Sequence, residues 1–251
     1  MIILRLTILS ILLLFGQILF AQWIGFVGAT EGEKPHLAVL SSDGSEIVIE
    51  VNVPGKNAAK RTENSTTFDV LRFPGYFTTL EVGKPQLPAI RELLAVPEFA
   101  DYSVTLIDST VTTLKGYHVF PFLEPVTEDE QERFVFDETA YRQDRLFPNH
   151  LVRLDQPHIW RDLRVSRLSL FPVRYNPADN TLKVFQRMVL RIRLENGTGN
   201  PLIRQKPVPQ EWDAMYRHSI MNYEYLNIPK GLGKTNSTTT TEDYDYLIIT
   251  A

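Results

Sequence analysis

Apolar and polar residues alternate most regularly between positions 182 and 194. Every second residue from Leu182 onward is apolar except Gln186, and four of the intervening positions carry Lys or Arg. Because successive side chains of a strand point to opposite faces, this pattern predicts one long strand with a buried face and a basic, solvated face. The turn-forming segment 175–180 joins it to an apolar run at 168–173, so the two runs predict an antiparallel hairpin that a second layer must cover.

Shorter alternating segments recur along the whole chain, and Gly and Pro separate them. Sixteen Pro and thirteen Gly among 251 residues favour strands and turns over helices. The predicted strands are residues 36–40, 46–53, 67–73, 75–80, 89–96, 102–106, 110–120 and 133–136, with irregular or loop segments at 23–35, 54–65 and 123–132 and a turn at 137–141.

Two segments depart from simple alternation. Apolar residues change parity between Val165 and Leu168. Because an extra residue would reverse the side-chain direction, this change predicts a β-bulge near Ser166. Residues 210–222 carry Trp, Met, Tyr and Ile near helical spacing, which predicts one amphipathic helix.

The length and composition suit a large β domain. A hydrophobic content of 43% and an aromatic content of 11% provide enough apolar surface for a core. Together with the strand pattern, they predict an all-β protein, an antiparallel β-sandwich with one short C-terminal helix.

The N-terminal 21 residues have the pattern of a secretory signal peptide. Arg5 precedes an apolar run that ends at Ala21, so cleavage is expected between Ala21 and Gln22. We therefore expect a protein exported to the cell surface or the extracellular space, with no membrane contact once the signal is removed. An uncleaved membrane anchor is the alternative, since Leu19 is larger than a cleavage site prefers.

The C-terminal residues differ in character from the rest of the chain. Residues 230–243 contain a single apolar side chain, Leu232, which predicts a flexible linker after a sandwich spanning residues 22–229. Residues 244–251 form a near-continuous apolar run, as in the first strand of a buried parallel sheet. We expect this strand to open a further domain of a longer protein.

The composition limits the possible chemistry. The chain has no Cys, which removes disulfides, thiolate zinc sites and a cysteine nucleophile. Its net charge of −4 gives no basis for binding nucleic acid. The five His lack the spacing of a metal site, and no phosphate-binding glycine loop or nucleophile elbow occurs. We therefore expect no cofactor and no metal.

Five carboxylates lie within the predicted loop 123–132. Glycoside hydrolysis requires two carboxyl groups on rigid elements, one of them desolvated, whereas clustered acids in a polar loop stay solvated. The segment is better interpreted as an exposed loop than as a catalytic pair, and no catalytic residue is predicted in the chain. The five acids are Glu124, Glu128, Asp129, Glu130 and Glu132.

A series of short motifs, in order, resembles the N-terminal prodomain of gingipain-type cysteine peptidases. The resemblance covers roughly residues 80–225, and its last motif is similar to the opening strand of the peptidase domain. The motifs are residues 83–88 with 94–96, Tyr141 with 146–148, 160–162, 175–177 with 181–182, 220–224 and 244–250.

The resemblance implies an antiparallel β-sandwich that keeps a peptidase latent, assists its folding and export, and is later cut off. In the family, a basic residue of a prodomain loop occupies the specificity pocket of the enzyme. The corresponding segment is 121–134, and Val126 stands at that position. Either Arg133 serves with a shifted register, or the enzyme does not prefer basic residues, or the acidic loop docks against a basic cleft.

The resemblance also implies a partner, the cognate cysteine peptidase domain that follows in the same chain. Lys230 and Lys234 are the only basic residues of the predicted linker and are the expected cleavage points. Two other classes of function remain open: a secreted sandwich for adhesion or carbohydrate binding, with no peptidase attached, and an enzyme in its own right.

Overall fold

The computed structural model describes residues 21–26, 28–99, 101–127, 129–196, 201–203 and 207–228. The predicted signal peptide up to residue 20, the linker 230–243 and the strand 244–251 lie outside the described residues, and so does Glu128. In the described parts, no helix is long and apolar enough to cross a membrane.

Thirteen strands and two short α-helices make up the described chain, with a 3₁₀ turn at Tyr223–Tyr225. The helices are α1 (Glu138–Tyr141) and α2 (Gln210–Ser219). The strands are β1 (Gln22–Gly25), β2 (His36–Ser42), β3 (Glu46–Asn52), β4 (Gly55–Glu63), β5 (Thr66–Arg72), β6 (Phe77–Thr78), β7 (Pro88–Ala95), β8 (Asp101–Lys115), β9 (Val152–Leu154), β10 (His158–Trp160), β11 (Leu163–Leu170), β12 (Val173–Asn176) and β13 (Thr181–Glu195).

The strands form three sheets, and every pairing between named strands is antiparallel. One five-stranded sheet has the order β12-β13-β3-β2, with β8 along the other side of β13. The second has the order β10-β11-β7-β6, with β9 also on β11. The third is the small sheet β1-β4-β5. The main core joins buried residues of β3 and β13 to those of β7 and β11, so the predicted antiparallel β-sandwich is confirmed.

Strand β13 is the central element that the alternation predicted. Leu182, Val184, Met188, Leu190 and Ile192 are all fully buried. The Arg side chains on the opposite face meet carboxylates of neighbouring strands, which balances the basic face: Arg187 contacts Glu50 and Asp108, and Arg191 and Arg193 contact Glu46.

The predicted hairpin is correct only from Val173 onward. Strand β12 pairs with β13, with Val173 opposite Val184. The apolar run before it belongs to β11 in the other sheet, and the chain passes between sheets at Phe171 and Pro172. Proline lacks the backbone N–H that a continuous strand would need, so the break falls there.

The predicted β-bulge near Ser166 is wrong. The register of β11 against β7 runs without interruption from Val165 to Leu170. Leu163 and Val165 pack in a second cluster with α2, whereas Leu168 and Leu170 face the main core. The strand is covered on both faces, so its apolar parity changes without an extra residue.

The predicted basic loop 54–65 is also wrong, because it contains β4, the central strand of the small sheet. Pairing on both sides stabilises a sequence that has little apolar alternation of its own. The turn to β5 places Asn64 and Ser65 at positive φ (47° and 64°), as a tight two-residue hairpin requires. At Gly55 a Cβ atom would lie 2.4 Å from the Trp23 ring, so this strand starts with a residue that must be Gly.

Four other segments differ from those predicted. The runs 102–106 and 110–120 form one strand, β8, which ends at Lys115. Residues 133–136 form no strand, and only Phe77–Thr78 of the run 75–80 is a strand. Helix α2 ends at Ser219 rather than at residue 222.

Candidate functional site

The described residues of the predicted acidic loop are exposed from Glu124 onward. We call residues 124–133 the tip loop; each of its described members is exposed, whereas Leu123 just before it is buried. Val126 is 41% exposed. The predicted site residues Glu124, Val126, Asp129 and Arg133 therefore all lie in solvent on one segment.

Both ends of the tip loop are fixed to a single residue, Gly83. The Gly83 N–H donates to the carbonyl of Phe122 at 2.8 Å, and the Gly83 carbonyl accepts from the N–H of Asp137 at 3.0 Å. Gly83 has φ +78°, and a Cβ there would lie 3.2 Å from the Asp137 nitrogen and 3.3 Å from Val135 Cγ1. The close approach of the chain and the positive φ both require Gly.

The neighbouring residues extend this attachment. Phe122 donates from its N–H to the carbonyl of Lys84, and Gln86 donates to the carbonyl of Phe120, both at 2.8 Å. The motif 83–88 thus forms a short backbone ladder along the segment that leads into the tip loop.

A small aromatic cluster lies beneath the tip loop. Phe68, Phe120 and Leu123 are buried together, and the partly buried Phe134 and Phe136 pack against them. The ring centroids of Phe68 and Phe120 are 5.7 Å apart in an edge-to-face arrangement. Edge-to-face pairs fix the relative orientation of the two rings and also bury apolar surface, so the loop lies on a rigid base.

Arg61 of β4 connects the small sheet to the acidic side of the tip loop. Its guanidinium lies 2.6 Å from Glu132 and 2.7 Å from Glu63, and its centre is 4.4 Å from the ring centroid of Phe120. Since these groups are partly exposed, we assign the contact a positioning effect of below about 1 kcal/mol.

Helix α1 fixes the chain directly after the loop. The Asp137 carboxylate accepts from the N–H of Ala140 at 2.9 Å and caps the helix. The buried Tyr141 hydroxyl donates to the carbonyl of Val119 at 2.6 Å. Burial raises the pKa of Tyr141, so this hydroxyl stays a donor at any physiological pH.

A buried polar cluster beneath the same end was not predicted. Lys56 of β4 is completely buried, and its ammonium donates to the Tyr117 hydroxyl at 3.2 Å. Burial lowers the pKa of Lys56 to about 8, although the charge of Asp69 opposes the shift. Asp69 is 5% exposed; its carboxylate accepts from Lys60 at 2.6 Å and from the backbone N–H of His118 at 2.8 Å. No sequence pattern distinguishes Lys56 from the exposed lysines around it.

A cavity of about 470 Å³ opens beside α1. Its walls include His118, Tyr141, Arg142 and Tyr175. The Tyr175 hydroxyl donates to the Asn180 side chain at 2.8 Å, and Arg142 pairs with Glu138 at the rim. Burial lowers the pKa of His118, which favours its neutral form. Tyr141, Tyr175 and Arg142 of this wall each have a hydrogen-bond partner, and no group of three possible metal ligands occurs in the described chain.

Of the predicted processing residues, the structure describes those at the N-terminal end. Ala21 and Gln22 are exposed, and Gln22 is the first residue of β1, paired opposite Ala58. Lys230 and Lys234 lie outside the described residues.

The last described segment is bound to the sandwich by Asn222. This residue is 1% exposed; its amide accepts from the N–H of Ala95 and donates to the carbonyl of Ala95, both at 2.8 Å. It also donates to Ser42 Oγ at 3.1 Å. The motif at 220–224 therefore attaches the C-terminal exit of the sandwich to β7 and β2.

Comparison with known proteins gives a family match over the same part of the chain. The sequence profile of the family Propeptide_C25 matches residues 28–228, which is nearly the whole described chain.

Curated relatives share this region at modest identity. Gingipain R1 of Porphyromonas gingivalis is 27% identical over 218 residues, covering 84% of this chain and 21% of that protein. Lys-gingipain of the same species is 30% identical over 138 residues, covering 51% of this chain and 8% of that protein. The chain spans about a fifth or less of these two relatives.

Two solved structures have the same fold. The complex of Porphyromonas gingivalis RgpB pro- and mature domains contains a chain that matches with a TM-score of 0.66 and 24% identity, covering 76% of this chain and all of that one. A structure described as giving insight into the zymogenic latency of gingipain K from the same species matches with a TM-score of 0.57 and 22% identity, covering 70% of this chain and 98% of that chain.

Proposed function

Because this chain belongs to the Propeptide_C25 family, we propose that it keeps a secreted, gingipain-type cysteine endopeptidase latent by placing the tip loop in the active-site cleft. The observation that carries the proposal is the geometry of this loop: its described residues are exposed, and the chain on either side of it, at Phe122 and Asp137, is hydrogen-bonded to Gly83. The chain itself performs no chemistry.

The physical advantage of this geometry is preorganisation. A loop already held between two fixed ends loses less conformational entropy on entering a cleft than a free segment does. The aromatic cluster and Arg61 hold the base of the loop, so binding needs little reordering of the sandwich.

The partner is the peptidase domain that follows in the same chain. As the predicted linker, residues 230–243 make binding intramolecular, at an effective concentration on the order of millimolar. Cleavage after Lys230 or Lys234 converts the pair into two separate molecules that dissociate. Both lysines lie in the predicted linker, and polar segments with few apolar residues are preferred sites of proteolytic cleavage.

Three interpretations of how the loop contacts the enzyme predict different effects of substitutions in the loop. Val126 enters the specificity pocket of an enzyme that prefers apolar residues, or Arg133 enters that of an enzyme that prefers basic ones. Alternatively, the carboxylates of Glu124, Asp129 and their neighbours meet a basic cleft. Val126→Ala, Arg133→Ala and a variant with the acids changed to amides separate these cases, because only the variant that touches the bound group weakens inhibition strongly.

The direct test is inhibition in trans. Residues 22–229, added at micromolar concentration, are expected to inhibit the cognate peptidase, with papain as the control for specificity. If the activity of the peptidase does not change at that concentration, the chain is not its inhibitor.

Export and folding assistance are further parts of the proposal. The N-terminal 21 residues direct export to the cell surface or beyond, and removal of the signal leaves Gln22 as the first residue, at the start of β1. N-terminal sequencing of the exported protein is expected to begin at Gln22. Refolding of the denatured peptidase is expected to give more active enzyme when residues 22–229 are present and are then removed.

A further inference from the structure

The long edge strand β8 is not explained by the latency mechanism. It runs for 15 residues and pairs with β13 on one side only. None of its residues is buried, and between Ser103 and Asp108 every side chain is exposed. A strand of this kind carries a row of free backbone N–H and C=O groups, which is a template for pairing with another strand.

Other edges of the described sheets are shorter than β8 or are partly covered by another part of the chain. Strands β1, β6, β9, β10 and β12 have two to four residues each. The edge of β5 is partly occupied by the chain at His118 and Phe120, which bonds to Asp69. Strand β2 has seven residues, fewer than half of the 15 residues of β8. Among the described strands, only β8 combines great length with few charges, since it contains no Gly or Pro and its one Lys is the last residue.

The side chains of β8 add an apolar component to this edge. Val104, Leu106, Ile107 and Val111 are each 36–45% exposed. Most of the remaining residues of the strand are Thr or Ser, which suit a strand that is half covered. The edge therefore offers both backbone hydrogen bonds and apolar contact.

The charges of β8 indicate what covers this edge. Asp101 stands at one end of the strand and Lys115 at the other. Neither enters an ion pair with the described residues. Antiparallel pairing of two copies centred on Asp108 places each Asp101 opposite the Lys115 of the second copy, so two complementary pairs form per dimer.

We propose that a second copy of this chain adds along β8, giving a two-fold symmetric dimer with one continuous sheet across both protomers. The two-fold axis passes through Asp108, one residue from the strand irregularity at Ile107, and this register pairs the segment 101–106 of one copy with 110–115 of the other. The Asp108 carboxylates meet at the axis, where each already pairs with Arg187 of its own chain at 2.5 Å. The contact is isologous and closes at two copies, which prevents further growth along this edge.

The test is the oligomeric state of the purified chain from Gln22 onward, measured by sedimentation velocity from about 1 µM to about 200 µM. A dimer is expected within this range. Leu106→Lys places a charge in the paired edge and is expected to raise the dimer dissociation constant by about tenfold or more. Ile159→Lys, an identical change of charge on the three-residue strand β10, is the control and should leave the constant unchanged.

A charge exchange identifies the register. Asp101→Lys and Lys115→Asp are each expected to weaken the dimer by about threefold to tenfold, and the double variant is expected to restore it. Both positions are exposed, so folding is preserved and circular dichroism should be unchanged. A monomer throughout the concentration range, or a dimer insensitive to Leu106→Lys or to the charge exchange, would overturn the proposal. This test involves no peptidase, so its result is independent of the latency mechanism.

Discussion

Single residues with unusual backbone or burial determine how the tip loop is held. Gly83 makes both closing hydrogen bonds, and Lys56 stands fully buried near the loop's base. Neither residue carries out chemistry. Each instead affects the stability of the end of the sandwich from which the loop projects.

Gly83→Ala tests the closing contact. The new methyl group is strained at φ +78° and approaches Asp137 and Val135 within 3.3 Å. Gly116→Ala is the matched control, because Gly116 has the same φ and a methyl group there would meet no atom within 4 Å. We expect urea unfolding to show Gly83→Ala less stable than Gly116→Ala by about 1–3 kcal/mol. Equal losses in the two variants would show that the close approach at Gly83 has no energetic effect.

Lys56 gives the chain a pH-dependent stability. Its pKa is about 8 in the folded protein against an ordinary 10.5, so between these values the unfolded chain binds more protons and stability rises with pH. From pH 7.5 to pH 9.5 the expected gain in unfolding free energy is about 2 kcal/mol. Lys56→Met removes this gain, whereas Lys34→Met at an exposed site retains it. If the unfolding free energy of the Lys56→Met variant rises with pH as steeply as that of the unchanged protein, the lowered pKa is not that of Lys56.

At the residue scale, the sequence predicted which charged residues are exposed, but it did not predict which charged residue is buried. The cluster of carboxylates from Glu124 to Glu132 repels itself, so its position in solvent follows from charge alone. Lys56 lies in a largely polar segment, and its burial depends on contacts with residues distant in sequence, such as Ile24 of β1 and Tyr117. That enclosure depends on tertiary pairing, which a local pattern does not record.

At the scale of elements, strands with a regular alternation of apolar and polar residues were predicted from the sequence. Strands without that alternation were missed. Strand β13 was predicted almost to its ends because one face is buried along its whole length. Strand β4 lacks alternation, and its pairing on both sides replaces the apolar face. In β11 a second layer formed by α2 covers the face that alternation assigned to solvent, which led to the wrong prediction of a bulge.

Asn222 tests how the C-terminal segment is attached to β7 and β2. Asn222→Ala leaves the N–H and the carbonyl of Ala95 without their partner in a buried place. We expect a loss of about 2–4 kcal/mol in unfolding free energy, measured in urea. Ser42→Ala removes only the single bond to the Asn222 amide and is expected to cost about 1 kcal/mol or less. Similar small losses in both variants would contradict the role of Asn222.

At the scale of the whole molecule, the sandwich and its family were predictable, and the arrangement of sheets was not. Motifs in order indicated a gingipain-type prodomain, and the family match confirms this. Sheet order depends on contacts between distant residues, such as the pairing of β3 with β13, which no local pattern contains. The role of individual tip-loop residues stays a prediction, since it depends on the surface of the partner.

The central claim is that the tip loop, rather than the sandwich, blocks the peptidase. The most direct measurement compares the inhibition constant of residues 22–229 with that of a variant whose residues 124–133 are replaced by a Gly-Ser segment of equal length. Thermal unfolding of both proteins serves as the control for folding. We predict that the variant keeps its fold and loses inhibition by about a hundredfold or more, since the anchoring contacts of the bound loop are removed. Equal inhibition by the two proteins would contradict the account.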